Sequence, residues 1–157
     1  MLKLNDVVEF IHNPLPYQQN LVSVINTKGE QILLCSSNEL YSTEPKTVKI
    51  EGMERYSSVV YEMCELYKEW HHHVGPVTCH AFIAQVDSPS FGMYADPDYV
   101  IIYCCEGRKS MIVNDCYIVI EEGHSIFIPA GVKHQALNEY AAFTLSFGLE
   151  KYLIDKL

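Results

Sequence analysis

Gly123-His-Ser-Ile-Phe-Ile-Pro-Ala-Gly-Val-Lys-His-Gln-Ala-Leu-Asn138 is the stretch from which the fold is read. Gly123 follows Glu121-Glu122 at the end of an apolar run and permits a tight turn. Ser125 to Ile128 has the length and composition of a short buried strand. Pro129-Ala-Gly131 is turn chemistry, with proline fixing one φ and glycine relieving the next corner. His134 opens a new strand directly after that corner, where its ring can point into whatever the sheet encloses.

Outward from this corner the chain reads as short strands divided by brief turns. Val77 to Val86 is a strand and Asp87-Ser-Pro-Ser90 a loop. Tyr99 to Cys105 is a continuous apolar strand ending at Glu106-Gly107. Ser110 to Val113 and Cys116 to Ile120 pair across Asn114-Asp115, a two-residue hairpin turn. Ser125 to Ile128, Lys133 to Leu137 and Ala142 to Phe147 complete the series. Such a sequence of strands favours a sandwich or barrel.

The first half differs. Asn5 is placed to cap a short helix holding Val7, Val8, Phe10 and Ile11, which Asn13-Pro14 ends. Pro14-Leu-Pro16 makes the next piece extended. Leu21 to Ile25 and Gln31 to Cys35 form a hairpin across Asn26-Thr-Lys-Gly29. Ser36 to Lys46 is polar loop, and Thr47 to Ile50 a short strand. Glu54 to Trp70 is the long helix: Tyr56, Val59, Val60, Met63, Leu66, Tyr67 and Trp70 recur at three- and four-residue spacing. His71-His72-His73 follow, either suiting the helix's negative end or, on a strand, placing His71 and His73 on one side where they could bind metal together, and Gly75-Pro76 stop the helix.

The spacing Gly-x5-Pro-x-Gly-x2-His-x3-Asn matches the second signature motif of the cupin family, and the resemblance covers about Val77 to Gly148. It implies a mainly β chain, a double-stranded β-helix (jelly-roll) barrel with a site inside. To this barrel, residues 77–157, the first 76 residues add an N-terminal α/β extension with one long helix, and the two form one structural unit. The family's first motif carries a His-x-His pair and a glutamate ahead of a closing glycine. With Gly107 as that glycine, the glutamate position falls at Val100 and the histidine pair near Met93 to Asp96. Of the ligand set implied by the resemblance, which holds a divalent iron, manganese, nickel or zinc ion, only His134 is present.

Tyr94 and Asp96 stand two residues apart, so both side chains share one strand face. With His134 they would make an oxygen-rich site; the alternative is that Ala95-Asp-Pro-Asp98 is ordinary turn composition. His80, at the start of a strand, is a further possible partner, or a histidine bonded at the rim. Alternation puts either Val100, Ile102 and Cys104, or Tyr99, Ile101, Tyr103 and Cys105, inside the barrel. The first set is expected, since it holds the usual glutamate position. Cys104 and Cys105 read as packing residues without a basic neighbour to activate a thiol.

Composition bounds the function. The chain has 157 residues, 48% of them hydrophobic, a net charge of −9 and a pI of about 5.1. That is one domain with a sizeable core. A phosphate backbone or an anionic membrane would repel it. None of the six cysteines forms a Cys-x2-Cys pair, and neither a signal peptide nor a membrane-length apolar run is visible, so a cytoplasmic protein with reduced thiols is expected. The reading is a barrel that binds a small molecule through His134, Tyr94, Asp96, Val100, Ile102 and Cys104, without the three-histidine, one-glutamate metal site. Two alternatives stay open: a metal-dependent enzyme of dioxygenase or isomerase type with substituted ligands, and a homo-oligomeric interaction protein. A homodimer is expected in each case, and no residue is assigned a catalytic role.

Overall fold

The computed structural model describes residues 2–41 and 44–151. Helix α1 (Leu4–Ile11) buries Val7 and Ile11. Its start is set by Asp6, whose carboxylate accepts the Lys3 N–H at 2.8 Å. Lys3 is therefore the cap, and Asn5 lies inside the helix. Pro14 does not begin an extended piece but leads into a one-turn helix, α2 (Leu15–Gln18). The φ that proline imposes suits a first helical turn as well as an extended chain.

Strands β1 (Val22–Ile25) and β2 (Gln31–Leu33) form the expected hairpin. Asn26 holds its turn by accepting the Lys28 and Glu30 N–H groups, each at 2.9 Å, and Gly29 supplies the positive φ of 76°. Strand β3 (Thr47–Ile50) pairs with β1. The polar loop between β2 and β3 includes a 3-10 turn at Ser37–Leu40. The long helix, α3 (Ser58–Trp70), starts later than its apolar spacing implies. Ser57 caps it through Oγ, which accepts the Val60 N–H, and Glu54 serves elsewhere, accepting the Cys79 N–H at 2.9 Å.

The barrel follows: β4 (Val77–Ala84), β5 (Tyr94–Ala95), β6 (Tyr99–Val113), β7 (Cys116–Glu121), β8 (Ser125–Ile128), β9 (Lys133–Ala136) and β10 (Ala142–Leu149). Every pairing is antiparallel, and the strand order is β2-β1-β3-β4-β10-β6-β9-β5, with β7 and β8 also on β6. β6 does not end at Gly107 but continues to Val113, 15 residues in all. Its first half pairs with β10 and β8, its second with β7 and β9. One strand thus belongs to both layers, and the sheet curls into a jelly roll.

A β-bulge within β6 makes this bend. Thr144 of β10 lies opposite Cys104 and Phe143 opposite Glu106, so Cys105 is an extra residue. Gly107, at φ 78°, could not be another residue without strain: a Cβ there would stand 2.1 Å from the Ala141 carbonyl oxygen. The extra residue shifts the alternation. Before it Val100, Ile102 and Cys104 face the inner core; beyond it Lys109 and Met111 face the barrel interior.

Two apolar cores result. The inner one gathers Val100, Ile102, Cys104, Met111, Ile120 and Ile128. The outer one lies between the sheet and the N-terminal helices, where Val60, Cys64 and Tyr67 of α3 pack with Ile101, Cys105 and Phe147. Tyr67 meets Phe147 edge-on, ring centroids 4.9 Å apart. The set of Ile101 and Cys105 thus faces α3, as the alternation requires.

Candidate functional site

The barrel interior opens in two stages. A deep cavity of about 50 Å³ is walled by Val100, Ile102 and Met111, with Lys109 and His134 among its polar groups. A wider chamber of about 490 Å³ lies toward the surface and includes His80, Asp96, Asp98 and Glu150. Phe82, Phe91, Tyr94, Val100 and Ser146 line both, so the two share walls.

Three residues singled out from the sequence meet here. Tyr94 of β5 lies directly opposite His134 of β9, and their rings are 4.6 Å apart between centroids. His134 is 2% exposed, and its Nε2 lies 3.3 Å from Asp96 Oδ2. The other ring nitrogen, Nδ1, donates to the Val132 carbonyl at 3.0 Å. That bond fixes the ring, so Nε2 carries a proton toward Asp96 only when the imidazole is doubly protonated. The Tyr94 hydroxyl is pushed up to about 12 by burial and then by Asp96, and it stays a neutral phenol. Of the two cavities His80 lines the outer chamber; burial and then Lys49 lower its pKa, and its Nδ1 has no hydrogen-bond partner among the described residues.

This set does not fit the metal centre implied by the family resemblance. Among the described residues no three His, Cys, Asp or Glu side chains converge as one ion requires. Asp96 and His134 make a pair, and the pair is directed at itself.

Lys109 is the residue that sequence reasoning missed. It is 6% exposed, and its Nζ donates to Asn138 Oδ1 at 3.0 Å. No carboxylate pairs with it among the described residues. Burial pulls its pKa down to about 8, against a smaller opposing influence from Cys104. Asn138, 1% exposed, turns its amide nitrogen to Thr47 Oγ1 and to the Ser88 and Pro89 carbonyls, at 3.2 to 3.3 Å. One side chain thereby joins the buried ammonium to the loop that carries Ser90 and Phe91, two walls of the deep cavity. A lysine beyond Gly107 looks like turn composition once the strand is thought to end there. The signal that would have found it is the glycine itself, read as a bulge within a longer strand.

Val100 and Ile102 line the deep cavity as expected, but Cys104 does not. It is fully buried, and its Sγ donates to the Glu106 and Gly107 carbonyls at 3.4 and 3.5 Å, within the bulge. Its pKa is raised to about 11 by burial and Glu122, which leaves an inert thiol. Two of the three histidines after α3 have structural contacts: His71 stacks on Phe127 at 5.1 Å, and His73 Nε2 lies 2.6 Å from the Glu150 carbonyl oxygen.

No family model and no curated protein matches the chain. Solved structures do resemble it. YcfD, a ribosomal oxygenase from Escherichia coli, superposes with a TM-score of 0.73 at 13% identity, over 99% of this chain and 45% of that one. YcfD in complex with cobalt and 2-oxoglutarate gives 0.70 at 14% identity, over 96% and 44%. An RmlC-like cupin from Shewanella frigidimarina gives 0.43 at 18% identity, over 46% and 64%. The chain thus spans less than half the length of YcfD. With every described strand pairing antiparallel, one long strand shared by two layers, and the Gly123-to-Asn138 corner in place, the chain has a jelly-roll fold, and its likeness to YcfD extends over nearly all of it.

Proposed function

We propose that the barrel binds a small molecule through a carboxylate seated on Lys109. The observation that carries this is a buried ammonium that borders a cavity and has one neutral acceptor, Asn138, among the described residues. An ammonium out of water is costly unless an anion or several acceptors replace the lost solvation. The protein supplies one acceptor; a ligand carboxylate would supply the charge. The deep cavity, at about 50 Å³, has room for a carboxylate and little more, since roughly 10–15 Å³ on this measure holds one water. The body of the ligand would lie in the outer chamber, within reach of Asp96, His134 and Tyr94. YcfD has been crystallised with cobalt and 2-oxoglutarate and with cobalt and succinic acid, which is consistent with small carboxylates in a barrel of this shape.

The test is calorimetric titration of the monocarboxylates acetate, propionate and butanoate, each beside its uncharged amide, into the wild type and Lys109→Met. Carboxylates should bind the wild type, the amides should not, and the variant should lose the carboxylates. Binding of acid and amide alike, or binding that survives Lys109→Met, would contradict the proposal. A second reading, a divalent-metal enzyme, would need ligands beyond the Asp96–His134 pair. Elemental analysis of the untagged protein tests it: a stoichiometric metal lost in His134→Ala supports that reading, and no metal after growth with added iron, manganese, nickel and zinc counts against it.

A further inference from the structure

The two cavities carry opposite charge, and that restricts the ligand further. At the closed end stands Lys109, with no carboxylate paired to it among the described residues. The outer chamber holds three carboxylates, Asp96, Asp98 and Glu150, against the cations Lys49 and, when protonated, His80. Lys49 is already committed: its Nζ lies 3.3 Å from Glu51 Oε1 and donates to Gln31 Oε1 at 3.2 Å. His80 is held toward its neutral form by burial. Asp96 faces His134. Among the described residues the Glu150 carboxylate accepts only the neutral Thr78 hydroxyl, at 2.8 Å, and Asp98 has no ion-pair partner. Between the two ends the shared walls Phe82, Phe91, Tyr94 and Val100 are largely apolar.

A molecule with its carboxylate on Lys109 must run past those walls into the outer chamber, because the deep cavity is too small to contain it. A dicarboxylate would bring its second negative end against Asp98 and Glu150, where like charges repel. We propose that the ligand is zwitterionic: a chain with a carboxylate at one end, on Lys109, and an amine or guanidinium at the other, against Asp98 and Glu150. This inference rests on the carboxylate reading above. It goes beyond that reading in assigning the second subsite and the charge it takes.

The experiment titrates an ω-amino acid series (β-alanine, 4-aminobutanoate, 5-aminopentanoate, 6-aminohexanoate) and the dicarboxylates of matching length into the wild-type protein. Each measurement is repeated with manganese chloride. The N-acetyl amino acids, which keep the carboxylate and lose the cation, are the internal control. At least one amino acid should bind roughly tenfold to a hundredfold more tightly than its N-acetyl derivative and its matched dicarboxylate, the range for one charge-assisted contact. Asp98→Asn combined with Glu150→Gln should erase that preference while keeping the carboxylate affinity. Dicarboxylates that bind without metal as tightly as the amino acids, and lose binding in Lys109→Met, would overturn the inference and leave the carboxylate reading standing. Dicarboxylates that bind only with manganese would overturn it in favour of a metal in the outer chamber. Binding of every probe that is indifferent to Lys109→Met, or binding of none, would overturn both.

Discussion

Replacing Lys109 by methionine should make the unliganded protein more stable, and the size of the gain follows from the structure. Burial moves the lysine pKa from its ordinary 10.5 to about 8. At 1.36 kcal/mol per pH unit, holding the ammonium charged at neutral pH costs about 3 kcal/mol. Methionine has similar length and no charge, so this cost disappears. Against it stands Asn138 Oδ1, which loses the 3.0 Å bond from Nζ and becomes a buried unpaired acceptor at about 1–2 kcal/mol. The net expectation is a gain of about 1–2 kcal/mol, or a Tm rise of roughly 3–6 °C for a domain of this size. The pH dependence has a definite sign. The folded state releases the proton at lower pH than the unfolded chain, so wild-type stability rises between about pH 8 and the ordinary value of 10.5. The variant lacks that rise, and its advantage should shrink or reverse toward the upper end. Urea unfolding of both proteins at neutral pH and near pH 10 reads this directly, since contributions from the other titrating groups cancel in the difference. A variant less stable than the wild type by more than about 2 kcal/mol at neutral pH would refute the reasoning. So would a stability difference that pH leaves unchanged. Either result would make Lys109 a structural residue and not a binding group held at a cost.

Carboxylate binding should weaken as pH rises through about 8 in the free protein, because the ammonium is the form that attracts the anion; calorimetry at several pH values checks this, and constant affinity past pH 9 would count against it. Asn138→Ala should cost roughly 2–4 kcal/mol, since it strips partners from Lys109, Thr47 and the Ser88–Pro89 loop together; a urea midpoint close to wild type would contradict the network. Gly107→Ala and Gly123→Ala make a matched pair. Both glycines have positive φ, 78° and 82°, but only at Gly107 would a Cβ meet a backbone atom, the Ala141 oxygen at 2.1 Å, whereas at Gly123 nothing lies within 4 Å. Gly123→Ala should cost about 1–2 kcal/mol from backbone conformation alone, and Gly107→Ala clearly more; equal losses would show that the bulge does not depend on the close approach.

The fold was legible because its signals are local. The proline, glycines and hairpin turns between Asn114 and Gly131 act within a few residues, and the corner they prescribe is the corner observed. The same holds for the pairing of Tyr94, Asp96 and His134, which two-residue spacing and a strand start were enough to suggest. What escaped was non-local. Pro14 looked extended because proline restricts φ without choosing between the conformations that share it. The start of α3 was misplaced because Glu54 has a partner on a distant strand, Cys79. Lys109 was hidden by one inserted residue at Cys105, which reverses the face of everything after it. No periodicity read from the sequence alone contains that reversal; Cys104, just before the bulge, keeps the inward face but packs in the inner core with its Sγ on the Glu106 carbonyl.

The most direct measurement is a crystal structure of the protein soaked with 5-aminopentanoate. The account requires a ligand carboxylate oxygen about 2.7–2.9 Å from Lys109 Nζ, with the carbon chain between Phe82 and Val100 and the amine toward Asp98 and Glu150. A ligand bound with its amine at the closed end, or a deep cavity holding only water at saturating concentration, would contradict it.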